Sequence, residues 1–450
     1  MVHRTQSADE QSVASRRERI IKKLVSWAVA LLYHRVEVRQ PHGLTSEGPQ
    51  LANASHFGGF ADPLLLIRAM DRVPRFIARD VIWKFPVVRN ILNSVGAIPV
   101  HKSDDGGPSS NDQMFRSTYD ALGEEDLVTI FPEGITVDDP RIARVKTGSA
   151  RIALGARAAG VEGITLVSAG IHYQNKAALR SEVFIDIGYP IDLDVWVQNN
   201  IPEDEPQDAS NRAAVVALTS EMEERLRWAA PDFEDWITAK NLSAASAVAL
   251  RPQDGSDPEI GHGDREVLAR LIAEAPRERS QEVVDKMDRY QSDLDALGYD
   301  DEMFVSGLGS KRAFLWNIAK DLVVGLLLLP FAIVGLIVNA IPMVIVWLIG
   351  RLKVADAMMS TIKPIGAIFA FLGTWSFWAW RIWSDLGVEM LAAMIILLPF
   401  YLFALIALVE RVVLLIGAVR SMAGSSSIAE VYEQVHLDRA EVVEAVAQAL

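Results

Sequence analysis

Two short stretches carry residue types at spacings suited to acid–base chemistry on a polar substrate. The first is NASHFGGFADP, residues 53–63, which sets His56 six positions before Asp62 with Gly58 and Gly59 between them. A histidine paired with a carboxylate is a general-base unit, because the carboxylate fixes the ring tautomer and stabilises the imidazolium once the proton arrives. The glycines let the backbone fold so that the two side chains meet. With eight histidines and 58 acidic residues in 450, one such spacing is expected by chance. Taken alone, the pair is more simply a loop histidine followed by an aspartate that caps a helix.

The second stretch is TIFPEGIT, residues 129–136. Pro132 and Gly134 force a turn at the end of an apolar strand, where open α/β sheets bind their ligands. Exposed amides in such a turn can form an anion-binding concavity. Glu133 could accept hydrogen bonds from a polyol hydroxyl or hold a cation, but phosphate would need a basic neighbour. Lys146 in RVKTGSARIAL and Lys102 in GAIPVHK are the candidates. The plainer account is a surface turn and two solvated lysines.

The elements that must position these residues follow from periodicity. Short apolar runs at 51–53, 97–100, 127–131, 164–168 and 183–187 read as strands, and 63–70, 113–122 and 148–159 as helices. Strands alternating with helices predict an α/β domain with a largely parallel or mixed sheet, here given the bounds 40–240. Residues 208–228 continue as an amphipathic helix. Ahead of the domain, 1–15 reads as disordered and 16–39 as an interfacial helix with Trp27 and Tyr33 as anchors, or else as a core helix. Residues 241–310 read as an acidic linker and helical connector, with 15 acidic and seven basic residues between 251 and 302.

The remainder is apolar. Residues 322–349 hold no charge over 28 positions, which suits a membrane span. Residues 364–380 and 390–409 are further uncharged stretches, giving three expected membrane segments within 311–420 before a polar helix at 421–450. Residues 311–420 carry nine Lys/Arg and five Asp/Glu, which leaves −18 for the rest of this −14 chain. So acidic a remainder argues against nucleic acid as a partner and for a membrane held by the basic apolar unit. The absence of cysteine excludes disulfides, thiolate metal sites and cysteine nucleophiles.

The order of blocks says more than any one of them. NASHFGGFADP, FIARDVIWKFPVVR, GAIPVHK, then IFPEGIT followed by VKTGSARIAL resembles the glycerolipid acyltransferase family, the glycerol-3-phosphate and lysophosphatidate acyltransferases, over residues 53–171. The resemblance implies transfer of a fatty acyl group from acyl-CoA or acyl-ACP to a glycerol-phosphate hydroxyl, without metal or cofactor. His56 would be the base and Asp62 its orienting partner. Phe131, Pro132, Glu133 and Gly134 would bind the acceptor, and Lys102 stands where the family often has a phosphate-binding arginine. The family's usual four residues between His and Asp are five here, 57–61, as in the fungal-type glycerol-3-phosphate/dihydroxyacetone-phosphate acyltransferases. The implied setting is an integral membrane enzyme of phospholipid synthesis with its catalytic domain facing the cytoplasm. The alternatives are a lysophospholipid or other amphipathic-alcohol acyltransferase, and a membrane scaffold or transporter carrying a degenerate acyltransferase-like domain.

Overall fold

A computed structural model describes residues 8–40, 47–84, 86–101, 111–136, 138–252, 260–297, 299–306, 311–354, 356–424 and 429–450. Two compact units divide at Asp232/Phe233.

The first unit opens with helix α1 (Ala8–Leu32), which passes directly into strand β1 (Tyr33–Arg39). Helix thus begins inside the stretch expected to be disordered, and 33–39 belongs to a strand rather than to the helix. The alternation in YHRVEVR suits a half-covered edge strand, a pattern hidden in sequence by the apolar run before it. Ile21, Val25, Val29 and Leu32 of α1 pack into a core, and Lys22 Nζ donates to the carbonyls of Met70 and Asp71 at 2.7 and 2.6 Å. Ile20, Leu24 and Trp27 stay exposed on the other face.

There follow β2 (Gln50–Ala54), α2 (Ala61–Ala69), β3 (Arg75–Arg79), α3 (Pro86–Ser94), β4 (Ile98–Val100), α4 (Asp112–Gly123), β5 (Leu127–Ile130), α5 (Gly148–Ala158), β6 (Thr165–Tyr173), β7 (Ser181–Ile187), β8 (Ile191–Asp192), α6 (Leu193–Asn200) and α7 (Arg212–Ala229). The strands form one mixed sheet in the order β1-β7-β6-β2-β5-β3-β4, with β8 beside β6. β4, β3, β5, β2 and β6 run parallel, while β7 is antiparallel to β6. Every residue of β2 is buried, as a central parallel strand covered on both faces requires. Period-two alternation sorts the side chains: Leu51, Val128 and Leu166 enter one core with α4–α7, and Ala52, Leu127 and Val167 the other with α1 and α2. The chain leaves β2 toward β3 and leaves β5 toward β6, so the crevice at the carboxyl ends of β2 and β5 is the topological switch point.

The second unit is helical. α8 (Trp236–Leu250), α9 (His262–Ala273), α10 (Arg277–Leu297) and α11 (Asp301–Ser306) precede three long helices, α12 (Lys311–Ile349), α13 (Asp356–Leu386) and α14 (Val388–Gly424), and α15 (Ala429–Ala449) follows them. The acidic segment is more than a solvated connector. Leu242, Val248, Ile272, Val283, Met287, Tyr290, Leu294 and Phe304 form a core closed by Val435, Val442 and Val446 of α15. Inside it, Asp301 accepts from Arg439 Nε at 2.9 Å and Tyr290 Oη at 2.6 Å, and it also pairs with Arg251.

Among the long helices, Trp375 Nε1 donates to Asn339 Oδ1 at 2.9 Å, and Asn339 Nδ2 donates to the Gly335 carbonyl at 2.9 Å. The amide that would be costly in hydrocarbon is therefore satisfied between helices. Among the described residues, two segments are long and apolar enough to cross a membrane, Ile318–Ile349 and Thr361–Asp385. The third expected stretch, 390–409, lies in α14, where the side chains of 391–396 fall outside the described residues.

Candidate active site

Register builds the site. Asn53 of β2 pairs with Ile130 of β5, so His56 and Glu133, each three residues further on, emerge side by side at the carboxyl edge. His56 Nδ1 lies 2.8 Å from Asp62 Oδ2; the histidine side chain is 20% exposed and the aspartate fully buried. Since a carboxylate only accepts, the Nδ1 proton is the donor, and in the neutral ring the lone pair is on Nε2. Asp62 sits in the first turn of α2, yet the N-cap position is Phe60 and no side chain caps it. The helix-capping account of this aspartate does not hold. Its oxygens turn back instead to the Gly58 amide, 3.0 Å from each, and to the Tyr173 hydroxyl, 2.5 Å from Oδ1.

The five-residue spacing is absorbed in the glycine turn. Gly59 takes φ +58°, a conformation that costs glycine little. Gly58 is needed for space: a Cβ there would stand 2.1 Å from Tyr173 Oη and 2.8 Å from Asp62 Oδ1. Phe57 anchors the turn in a small apolar cluster with Ile142, Val145 and Leu226. Gly58→Ala should therefore cost about 1–3 kcal/mol of stability by overpacking and roughly tenfold or more in turnover by displacing Asp62. Thermal unfolding and activity matching those of the unsubstituted chain would show that Tyr173 can yield freely.

Glu133 is buried, and both its oxygens are engaged by backbone. Oε1 accepts the His56 amide at 2.9 Å and Oε2 the Ala143 amide at 2.8 Å. Burial pushes its carboxyl above the usual range, against those two hydrogen bonds, which pull it down. In this geometry Glu133 ties the histidine loop, the Pro-Glu-Gly turn and the 140–147 loop together. Phe131 stacks on the imidazole with ring centroids 4.2 Å apart, and Phe76 lies behind it at 6.3 Å with its ring nearly parallel. The Lys146 amide donates to the Pro132 carbonyl at 3.0 Å, and its ammonium lies over Gly134, which takes φ +67°. Lys102 lies outside the described residues.

Sequence reasoning missed Tyr173 and Tyr33. Tyr173 lies four residues past Ala169, which pairs with Ala54, and Gly58 lies four past Ala54. Only the β2–β6 pairing reveals that neighbourhood. Tyr33, at the start of β1, hydrogen-bonds Tyr173, and the ring centroids are 6.1 Å apart. Burial first, and then the Asp62 charge, push both hydroxyls above the usual phenol range, so each stays a donor.

With this geometry in view, comparison with known proteins places the domain. Residues 35–172 match the family model described as Acyltransferase, so this segment is similar to the acyltransferase domain. Over 85 residues it is 38% identical to glycerol-3-phosphate O-acyltransferase 2 of Saccharomyces cerevisiae, a match covering 19% of this chain and 11% of that relative. The chain thus spans about a tenth of that protein's length. A solved structure, the 1-acyl-sn-glycerophosphate (LPA) acyltransferase PlsC from Thermotoga maritima, aligns with 49% of this chain and 85% of its own at 17% identity and a TM-score of 0.35.

Proposed function

We propose that this chain is a membrane-bound glycerolipid O-acyltransferase. It moves a fatty acyl group from a thioester, acyl-CoA or acyl-ACP, to a hydroxyl of glycerol-3-phosphate, dihydroxyacetone phosphate or lysophosphatidate. The observation that carries this reading is His56, oriented through Nδ1 by a buried Asp62 and partly exposed, within a domain of the acyltransferase family. The acceptor hydroxyl attacks the thioester carbonyl as its proton passes to His56 Nε2. The C–S bond then breaks, and the departing thiolate takes that proton, leaving an ester and a free thiol. Phe131 holds the imidazole plane, and the turn at Pro132, Glu133 and Gly134 forms the acceptor side with Lys146 as its phosphate-facing cation; Lys102 is the further cation that the sequence resemblance offers for the phosphate. Lysine supplies charge there without the bidentate fork of arginine.

Membrane attachment rests on α12 and α13. Leu326, Leu327, Ile337, Ile341 and Trp347 of α12 are exposed, and lipid is the solvent in which such a surface is stable. The outer face of α1, with Ile20, Leu24 and Trp27 beside Arg16 and Lys23, suits an interfacial contact as well. The catalytic domain faces the cytoplasm in this reading, where the thioester donors are found. The test is turnover by the purified protein with acyl-CoA or acyl-ACP against a panel of glycerol-3-phosphate, dihydroxyacetone phosphate and lysophosphatidate. Ester formation on one of these is expected; a folded protein that acylates none of them overturns the reading.

A further inference from the structure

We propose that Tyr173 is a positioning residue for the base, holding Asp62 in the one orientation that presents Oδ2 to His56. The inference rests on the acyl-transfer reading above.

The geometry is a relay of fixed groups. Tyr173 Oη donates to Asp62 Oδ1 at 2.5 Å, the Gly58 amide lies 3.0 Å from both oxygens, and Oδ2 faces His56 Nδ1 at 2.8 Å. A carboxylate can turn about its last torsion and offer either oxygen. Here Oδ1 is engaged by a buried hydroxyl on another strand, and Oδ2 alone is left for the imidazole. Because the single hydroxyl proton of Tyr173 goes to Asp62, its hydrogen bond with Tyr33 must be one that Tyr33 donates. The shell therefore runs Tyr33, Tyr173, Asp62, His56, drawn from the start of β1, the end of β6, the first turn of α2 and the loop after β2.

The missing side chain at Gly58 ties the relay to the glycine turn. Tyr173 occupies the volume that a Cβ at Gly58 would fill, so the turn that admits the extra residue also admits the hydroxyl. A tyrosine that merely filled the core would not need its oxygen aimed at the carboxylate that carries the base. Its hydroxyl also lies well above the usual range because of burial and the adjacent Asp62 charge, which keeps it protonated and donating.

The experiment compares the full chain with Tyr173→Phe, Asp62→Asn and the double variant, all with the acceptor that the unsubstituted protein uses best. Tyr173→Phe should lower kcat about 10- to 30-fold, as loss of a hydrogen bond to a charged group does. KM for donor and acceptor should stay within about twofold, since no substrate contact is removed. Added to Asp62→Asn, the same change should have little further effect, because both act through one carboxylate. Multiplying losses in the double variant, or a rise in KM with kcat unchanged, would overturn the proposal. Should Tyr173→Phe fail to fold, Tyr33→Phe tests the outer link: a loss of about 2- to 5-fold in kcat alone supports the relay, and unchanged kcat refutes it. If the unsubstituted protein acylates nothing, the functional reading fails instead, and the two failures are told apart.

Discussion

His56→Ala is expected to lower acyl transfer on the order of 10²–10⁴-fold, the usual contribution of a positioned general base. The imidazole is partly exposed and stacked on Phe131, and its removal leaves no buried charge without water except Asp62. Asp62 would retain the Gly58 amide and the Tyr173 hydroxyl as donors. Folding and membrane association should therefore survive, and the loss should fall on kcat. Turnover and thermal unfolding measured on the same preparation make the check; undiminished turnover with an alanine at this position would refute the assignment of the base.

Asp301→Ala should be the most damaging single change for stability. Its carboxylate is buried between Arg251 and Arg439, with the Tyr290 hydroxyl as a third donor. Burial already lowers the affinity of both guanidinium groups for their protons. Removing the carboxylate that meets both takes away their shared partner in a core of Val248, Tyr290 and Phe304. Breaking a buried pair in this way typically costs about 3–5 kcal/mol. The expected result is a lower denaturation midpoint in urea, together with earlier proteolysis near α15 as that helix is released. An unchanged midpoint would mean that water enters this core more freely than the burial suggests.

How much of this was legible in the sequence depends on how far apart the partners lie. The apolar runs at 51–53, 127–131 and 164–168 mark β2, β5 and β6 because a strand covered on both faces has little room for polar side chains. RFIAR, which forms β3, starts and ends on arginine and gives no such mark. Neither does YHRVEVR, which follows an apolar helix without a break. His56 and Asp62 could be singled out because chain spacing brings them together. Tyr173 could not, since its closeness to Gly58 depends on which strand neighbours β2. Glu133 was visible as a polar residue in a turn, but its two backbone donors belong to loops 77 and ten residues away. The charges of 251–302 concealed a buried face whose other half lies in α15, beyond all three long helices.

That shared core limits how the chain can be threaded. Folded side chains from α8–α11 and α15 interlock, so no bilayer can separate them. If α12 carries the chain across a membrane, the chain must come back before Ala429, and the number of passages is even. Contacts between the long helices show the return. Trp375 of α13 meets Asn339, while along α14 Tyr401 abuts Gly335 and Arg411 approaches Asp321 at 3.8 Å, so α14 runs antiparallel to α12. Two passages, out along α12 and back by α14, would then put 350–354 at the far end. A chain without cysteine lends itself to the check, since each introduced thiol is unique. Gln281→Cys and Glu441→Cys should be labelled by an impermeant maleimide from one side of a sealed vesicle, and Lys353→Cys from the other. Labelling of positions 281 and 441 from opposite sides would contradict this arrangement. The helix that looked in sequence like a polar tail is, on this view, what fixes the sidedness of everything before it.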